Sequence, residues 1–326
     1  MDMQVFTITD GADCSAVLTN YGARLIQLWV PGLGGVLADI VLGHENVQGY
    51  LDHPGTYFGA TCGRYANRIA GGRFEWRGSV VQLDCNEGVN HLHGGALGFD
   101  KRAWQVLRAD TRGVTFGLHS PDGEMGFPGA LDVEARYEFT AAGRLQIVMT
   151  ARATADTVVN LVNHAYFNMA GQGSGVVDTQ LLQIDADRYL PVDAALLPLG
   201  APVGVAGTPF DFRVLRALGA DVPVGGFDHN FCLNGADGPA VVAIDPASGR
   251  GLRLFTNQPG VQLYTGSYLP EGLRGKTDAV YGARSGFTLE TQVWPDSPNH
   301  ANYPSAVVKA GGVYDHRMVF EFFVVD

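Results

Sequence analysis

The stretch F-T-L-E-T-Q-V-W-P-D-S-P-N, Phe287 to Asn299, alternates like a buried strand, yet one carboxylate, Glu290, stands in its middle. Between Arg284 and Asp296 no other residue carries a formal charge. On a strand, Thr288, Glu290, Gln292 and Trp294 project to one face and Phe287, Leu289, Thr291 and Val293 to the other. Apolar surroundings raise a carboxylate's pKa toward the range a general base uses. Glu290 is the first candidate for chemistry.

A second segment, L-V-N-H-A-Y-F-N-M-A-G (Leu161 to Gly171), puts His164 and Tyr166 on one strand face and Asn163 and Phe167 on the other. The wider run from Thr157 to Val177 holds no Asp, Glu, Lys or Arg. In the third, N-H-L-H-G-G (Asn90 to Gly95), His91 and His93 are expected to point the same way before the glycines turn the chain. With His164 and Glu290 they make three imidazoles and a carboxylate, the donor set of a cupin-type metal enzyme, although no second short-range ligand motif accompanies them. Asn67 and Arg68 in G-R-Y-A-N-R-I, Asp228 in F-D-H-N-F and Gln262 in G-V-Q-L-Y-T-G add amides, a guanidinium and another carboxylate. That mixture suits a polyhydroxylated ligand, whose hydroxyls need donors and acceptors and whose C–H faces stack on rings.

The elements that must position these groups read as strands. Leu131, Val133, Ala135, Tyr137 and Phe139 alternate with Asp132, Glu134, Arg136 and Glu138, a period of two with one wet face. Leu145, Ile147 and Met149 repeat it, as do Val114, Phe116 and Leu118, while Met318 to Val325 reads as a more continuously buried strand. Breaks such as P-G-L-G-G and A-G-Q-G-S-G separate the runs, and 44 glycines fit a fold of many tight turns. No long helical period interleaves. The expected fold is all-β: a large antiparallel β-sandwich with few short helices, in one domain over residues 1–326.

Bulk composition narrows the partners. Lys and Arg number 22 against 33 Asp and Glu, a net charge of −11 that repels phosphate backbones and anionic lipid, so neither nucleic acid nor membrane is expected. The uncharged stretch Ala194 to Phe210 is broken by three prolines and is no membrane-spanning helix. Cys14, Cys62, Cys85 and Cys232 form no C-x-x-C pair and read as buried free thiols. M-D-M-Q-V-F-T-I-T-D has neither a basic start nor an apolar run of signal length, so a cytoplasmic protein is expected.

Taken in order, F-G-A-T-C-G-R-Y-A-N-R-I-A, N-H-L-H-G-G, N-L-V-N-H-A-Y-F-N-M-A-G, P-F-D-F-R, F-D-H-N-F, Q-L-Y-T-G and L-E-T-Q-V-W-P-D-S-P-N closely resemble the aldose 1-epimerase family, the galactose mutarotases. The resemblance runs from about Tyr21 to the C-terminal strand. It implies a galactose mutarotase-like supersandwich, no cofactor, no metal, and a shallow cleft for a monosaccharide such as glucose, galactose, xylose or arabinose, in a monomer or homodimer. In that family the histidine of N-H-x-Y-F-N is the general acid and the glutamate of L-E-T-Q the general base, here His164 and Glu290. His93 looks like their supporting partner. Arg68, Asp228 and Gln262 match positions that hold the sugar's other hydroxyls, with Asn67 and Tyr166 beside them.

Departures from the family pattern are Trp294, Cys62 and Gly266 to Tyr268, which bear on the preferred sugar. The expected reaction opens the hemiacetal: a base takes the anomeric proton, an acid protonates the ring oxygen, and rotation about C1–C2 precedes reclosure. Opposite charges a few ångströms apart are expected to hold Glu290 ionised and His164 protonated. Three rivals stand beside this reading. They are the metal-dependent cupin-like enzyme, a non-catalytic sugar-binding protein, and a sugar-phosphate epimerase using Arg64, Arg68 and Arg73.

Overall fold

The computed structural model describes residues 3–235 and 237–325. Among the described residues a nine-stranded, a six-stranded and a four-stranded antiparallel sheet, with five two-stranded pairs, make an all-β sandwich. The nine-stranded sheet centres on Leu131–Ala141, Arg144–Ala153 and the C-terminal strand Val313–Val324. From Leu131 to Phe139 the apolar members are buried and Asp132, Glu134 and Arg136 are exposed, so hydrophobic alternation alone fixes which side meets the core. The C-terminal strand departs from expectation. Met318, Phe320 and Phe322 point inward, whereas Val319 and Phe323 are half covered, Phe323 by the Arg253 guanidinium 4.0 Å from its ring centroid. An outward apolar side chain shielded by a cation looks, in sequence, like a buried one.

The six-stranded sheet carries four of the candidate site residues, Tyr166, Asp228, Gln262 and Glu290. Its order is Tyr166–Phe167, Phe287–Gln292, Gly260–Tyr264, Asp228–Cys232, Arg188–Tyr189 and Val203–Gly204. Phe167, Phe287, Leu289, Leu263, Val261 and Phe231 turn inward and join the core of the large sheet. Thr291 faces the same way and bonds His316 of the C-terminal strand at 2.7 Å, a polar link between the sheets. The opposite parity therefore collects Thr288, Glu290, Gln262, Tyr264 and Asp228 on the outer face.

Helical structure is slight. Among the described residues the α-helix is Val47–Asp52, capped by the Asn46 side chain accepting from Gly49 N–H, and none is long and apolar enough to cross a membrane. Cys14, Cys62 and Cys232 are buried free thiols, but Cys85 is exposed: it lies in the turn D-C-N-E-G, outside any strand and without an inward face.

One buried ion pair anchors the loop that follows Gly260–Tyr264. Lys276 Nζ donates to Asp39 Oδ2 at 2.5 Å and to the carbonyls of Ile26 and Val41, both at 2.7 Å. Asp39 Oδ1 accepts from the backbone N–H groups of Leu28 and Val41. With every partner in place the charges are tolerated; removing one leaves the other buried and unpaired. Lys276→Met should lower unfolding free energy by about 3–5 kcal/mol in urea titrations.

Candidate active site

Sheet register builds the site. Tyr166, Thr288, Tyr264 and Asp228 are successive cross-strand partners, and Glu290, Gln262 and Asn230 form the next row on the same face. A slip of one residue would turn Glu290 into the apolar core. His164 comes from the break between strands Val162–Asn163 and Tyr166–Phe167. Its N–H donates to Ala60 carbonyl at 2.8 Å and its carbonyl accepts from Gly59 N–H at 3.0 Å, which holds the imidazole over the sheet.

His93 arrives from a tight turn with φ of 49°. The next residue must be glycine: Gly94 has φ of 92°, and a Cβ there would lie 1.7 Å from the Gly63 carbonyl oxygen. Asn67 N–H points at His93 Nδ1 from 3.3 Å, so Nδ1 accepts and the ring proton sits on Nε2. Burial and the neighbouring His164 hold His93 well below the usual histidine range.

A cavity of about 510 Å³ is lined by His164, Glu290, His93, Asn67, Arg68, Tyr166 and Asp228, together with Tyr57, Glu87, Tyr264 and Tyr268. Glu290 Oε1 accepts from Thr288 Oγ1 at 2.9 Å and lies 3.5 Å from His164 Nε2, with both side chains almost wholly buried. Neither Glu290 Oε2 nor His164 Nδ1 has a hydrogen-bond partner among the described residues. Arg68 forks onto Glu87, Nε and Nη2 donating at 2.7 and 2.6 Å. Asn67 accepts from the Arg68 N–H at 2.8 Å.

Electrostatics correct one expectation. Burial pushes Glu290 up to about 7, against the opposing pull of Thr288 and Arg68. Burial likewise takes His164 down to about 4, although Asp228 and Asp100 oppose it. Desolvation is the largest influence on both groups and works against the charged form of each, so burial disfavours the ion pair expected from sequence. Asp228 is raised to about 6 by burial, opposed by Arg68 and Gln262.

The structure brings seven of the eight sequence-selected site residues to the cavity wall. Gln262 stands behind Asp228, donating from Nε2 to Oδ1 at 2.6 Å. His91 does not point with His93: the chain turns after Leu92, and His91 packs on Phe127 with Nδ1 2.7 Å from Asp84 carbonyl. Trp294 stays on the Glu290 side of the sheet, its Cδ1 over Gly260, but it lies beyond the strand end at Gln292 and its indole donates to Pro259 carbonyl, away from the cavity. Neither Trp294 nor Cys62 lines the cavity, whereas Tyr268 does. Arg64 donates to Ser120 and the carbonyl of Gly129, so it forms no phosphate cluster with Arg68.

Sequence reading missed Thr288 and Tyr57. Thr288, two residues before Glu290 on the same face, was readable from strand parity. Tyr57 carried no such signal: it has φ of 53°, and its ring lies 4.7 Å from His93 and 5.5 Å from His164. Among the described residues the candidate metal set is His93, His164 and Glu290, with ligand atoms within 4.8 Å of one another. The His93 tautomer opposes that use, since ligation through Nε2 would need the proton on Nδ1, where Asn67 N–H already donates.

A β-sandwich presenting a buried imidazole–carboxylate pair within a polar, aromatic-walled cavity is the framework of an acid–base isomerase. Residues 4–321 match the family described as aldose 1-epimerase. The chain is 45% identical over 312 residues to galactose mutarotase of Bos taurus, covering 94% of this chain and 90% of that one. It is 38% identical over 330 residues to aldose 1-epimerase of Haemophilus influenzae, covering 98% and 95%. The crystal structure of an aldose epimerase homologue from C. elegans superposes with a TM-score of 0.93 at 27% identity, over 100% of both chains. Galactose 1-epimerase from Lactobacillus acidophilus gives 0.86 at 28%, also over 100% of both. The chain belongs to the aldose 1-epimerase family.

In a ¹H–¹³C titration of the unliganded protein, the His164 ring should stay largely neutral from pH 8 to pH 5 and reach its midpoint near pH 4.

Proposed function

We propose that this protein is a mutarotase, interconverting the α and β anomers of a free aldose with Glu290 as general base, His164 as general acid and His93 as a supporting donor. The observation that carries this reading is the 3.5 Å approach of His164 Nε2 to Glu290 Oε1 inside one sugar-sized polar cavity. Full-length relatives named galactose mutarotase and aldose 1-epimerase support it. No observation favours a sugar-phosphate or purely binding role.

The anomeric hydroxyl and ring oxygen share one carbon, so a base and an acid must converge on a small region from different directions. Ring opening moves the anomeric proton to Glu290 while His164 passes a proton to the ring oxygen. The pair begins as carboxylate and imidazolium and ends as neutral acid and imidazole, with the sugar as open aldehyde. Rotation about C1–C2 exposes the other carbonyl face, and the same two transfers run backward. His93, neutral with its proton on Nε2, donates without competing for protons. Asp228, Arg68 and Asn67 hold the remaining hydroxyls, and Tyr166, Tyr57 and Tyr264 face the sugar's C–H surfaces. Gln262 acts on this set through Asp228.

Proton count sets the pH dependence. The competent pair carries one proton in total, whichever of the two groups holds it. Below about 4 it gains a second on His164, and above about 7 it loses the one on Glu290. kcat/KM measured by polarimetry should therefore peak between those limits and fall tenfold per pH unit beyond each. Glu290→Gln and His164→Asn should each lower kcat by about 10²–10⁴-fold with melting temperatures near the parent's. A parent-like rate in Glu290→Gln would remove the base assignment, and one in His164→Asn would move the acid role to His93.

A further inference from the structure

Behind the cavity wall three side-chain amides form a ladder that ends on Asp228. Gln262 Nε2 donates to Asp228 Oδ1 at 2.6 Å. Gln262 Oε1 accepts from Gln292 Nε2 at 3.2 Å, and the same Gln292 nitrogen donates its second hydrogen to Asn230 Oδ1 at 3.0 Å. Gln292 is fully buried, is not part of the cavity wall and has no assigned role.

Room for this ladder comes from Gly260, the cross-strand partner of Gln292. A Cβ there would lie 2.6 Å from Asn230 Oδ1 and 2.9 Å from Trp294 Cδ1. Gln262 presents nitrogen to Asp228 and oxygen to Gln292, and Gln292 presents nitrogen to both neighbours, the arrangement that suits an acceptor-only, ionised carboxylate at Asp228. At the far end Gln292 Oε1 is buried without a partner among the described residues. Satisfying the Asp228 end leaves that cost at the other.

We propose that Gln292 is a positioning residue for substrate binding: by fixing the orientation of the Gln262 amide, it holds Asp228 as an ionised hydrogen-bond acceptor for sugar hydroxyls. The inference rests on the reading of Asp228 as a sugar contact. Without the Gln292 donor the Gln262 amide is free to turn its oxygen to Asp228, an arrangement that demands a protonated acid. A protonated Asp228 donates where the sugar needs an acceptor. The charged and titratable groups facing Asp228 are Arg68, Glu290 and His164, and all remain in place when Gln292 is changed.

Two measurements test this. In the wild-type protein, the ¹⁵N side-chain amide signals of Gln292, which does not touch Asp228, should titrate together with those of Gln262. Asp228→Asn should abolish that shared step. In steady-state kinetics Gln292→Met should raise KM about tenfold with kcat within about threefold, the loss expected when a hydrogen bond to a charged group is misdirected. The KM increase should grow as pH falls. In a Gln262→Met background, Gln292→Met should add nothing further to KM. If Asp228→Asn leaves KM at the parent value, the sugar-contact reading fails and takes this inference with it. If Asp228→Asn raises KM but Gln292→Met does not, or the two Met changes are additive, the inference alone is overturned. Should Gln292→Met not fold, the wild-type titration decides: a flat Gln292 signal across the step removes the proposal.

Discussion

Two ionisable side chains are held out of water 3.5 Å apart, and the rest of the structure serves that arrangement. Removing charge from water is expensive, so each group relaxes toward its neutral form, the carboxyl by keeping a proton and the imidazole by refusing one. In the mechanism proposed for the pair, the neutral form is also the state left behind when a sugar ring has opened. On that reading the dry site favours the protonation pattern of the open chain, and sugar binding has to stabilise the charged pattern from which opening starts. Hydroxyl groups hydrogen-bonding to Glu290 Oε2, which has no partner of its own, are suited to that task.

The sandwich meets this demand through parity. Along Phe287–Gln292 every residue is buried, but for opposite reasons on alternate positions. Phe287 and Leu289 contribute to the hydrophobic core, while Thr288, Glu290 and Gln292 enter a polar layer under the cavity. A sheet with a second polar layer over one face can thus bury a carboxylate without placing it among hydrocarbons. His164 needs the opposite device, a break in the strand, because its imidazole must approach Glu290 from above the sheet.

Much of this was legible in the sequence because it depends on local alternation. The two-residue period gave the sheets, and a lone carboxylate in an uncharged strand marked Glu290. Ordered motifs joined Glu290 to His164, His93 and the binding residues, which distance along the chain would have hidden. Failures came where the chain leaves a strand. His91 and His93 were given one face by extending alternation past Leu92, where the backbone turns. Tyr57 could not be found, since a left-handed residue outside any strand leaves no period. The protonation state of the pair was also out of reach, because the size of a desolvation penalty depends on packing in three dimensions.

The Lys276 anchor bears on how the pocket could be re-engineered. Tyr268, Leu269 and Pro270 lie on a loop whose later part is pinned to the sandwich through Asp39, so bulk added there presses against a tethered wall. Residues 52–56 form the facing wall and are held largely by local hydrogen bonds, such as Thr56 Oγ1 to His53 carbonyl. A change of bulk on the Tyr268 side therefore strains a tether that reaches across the sandwich, whereas one at residues 52–56 disturbs bonds made mostly within the segment and to His44.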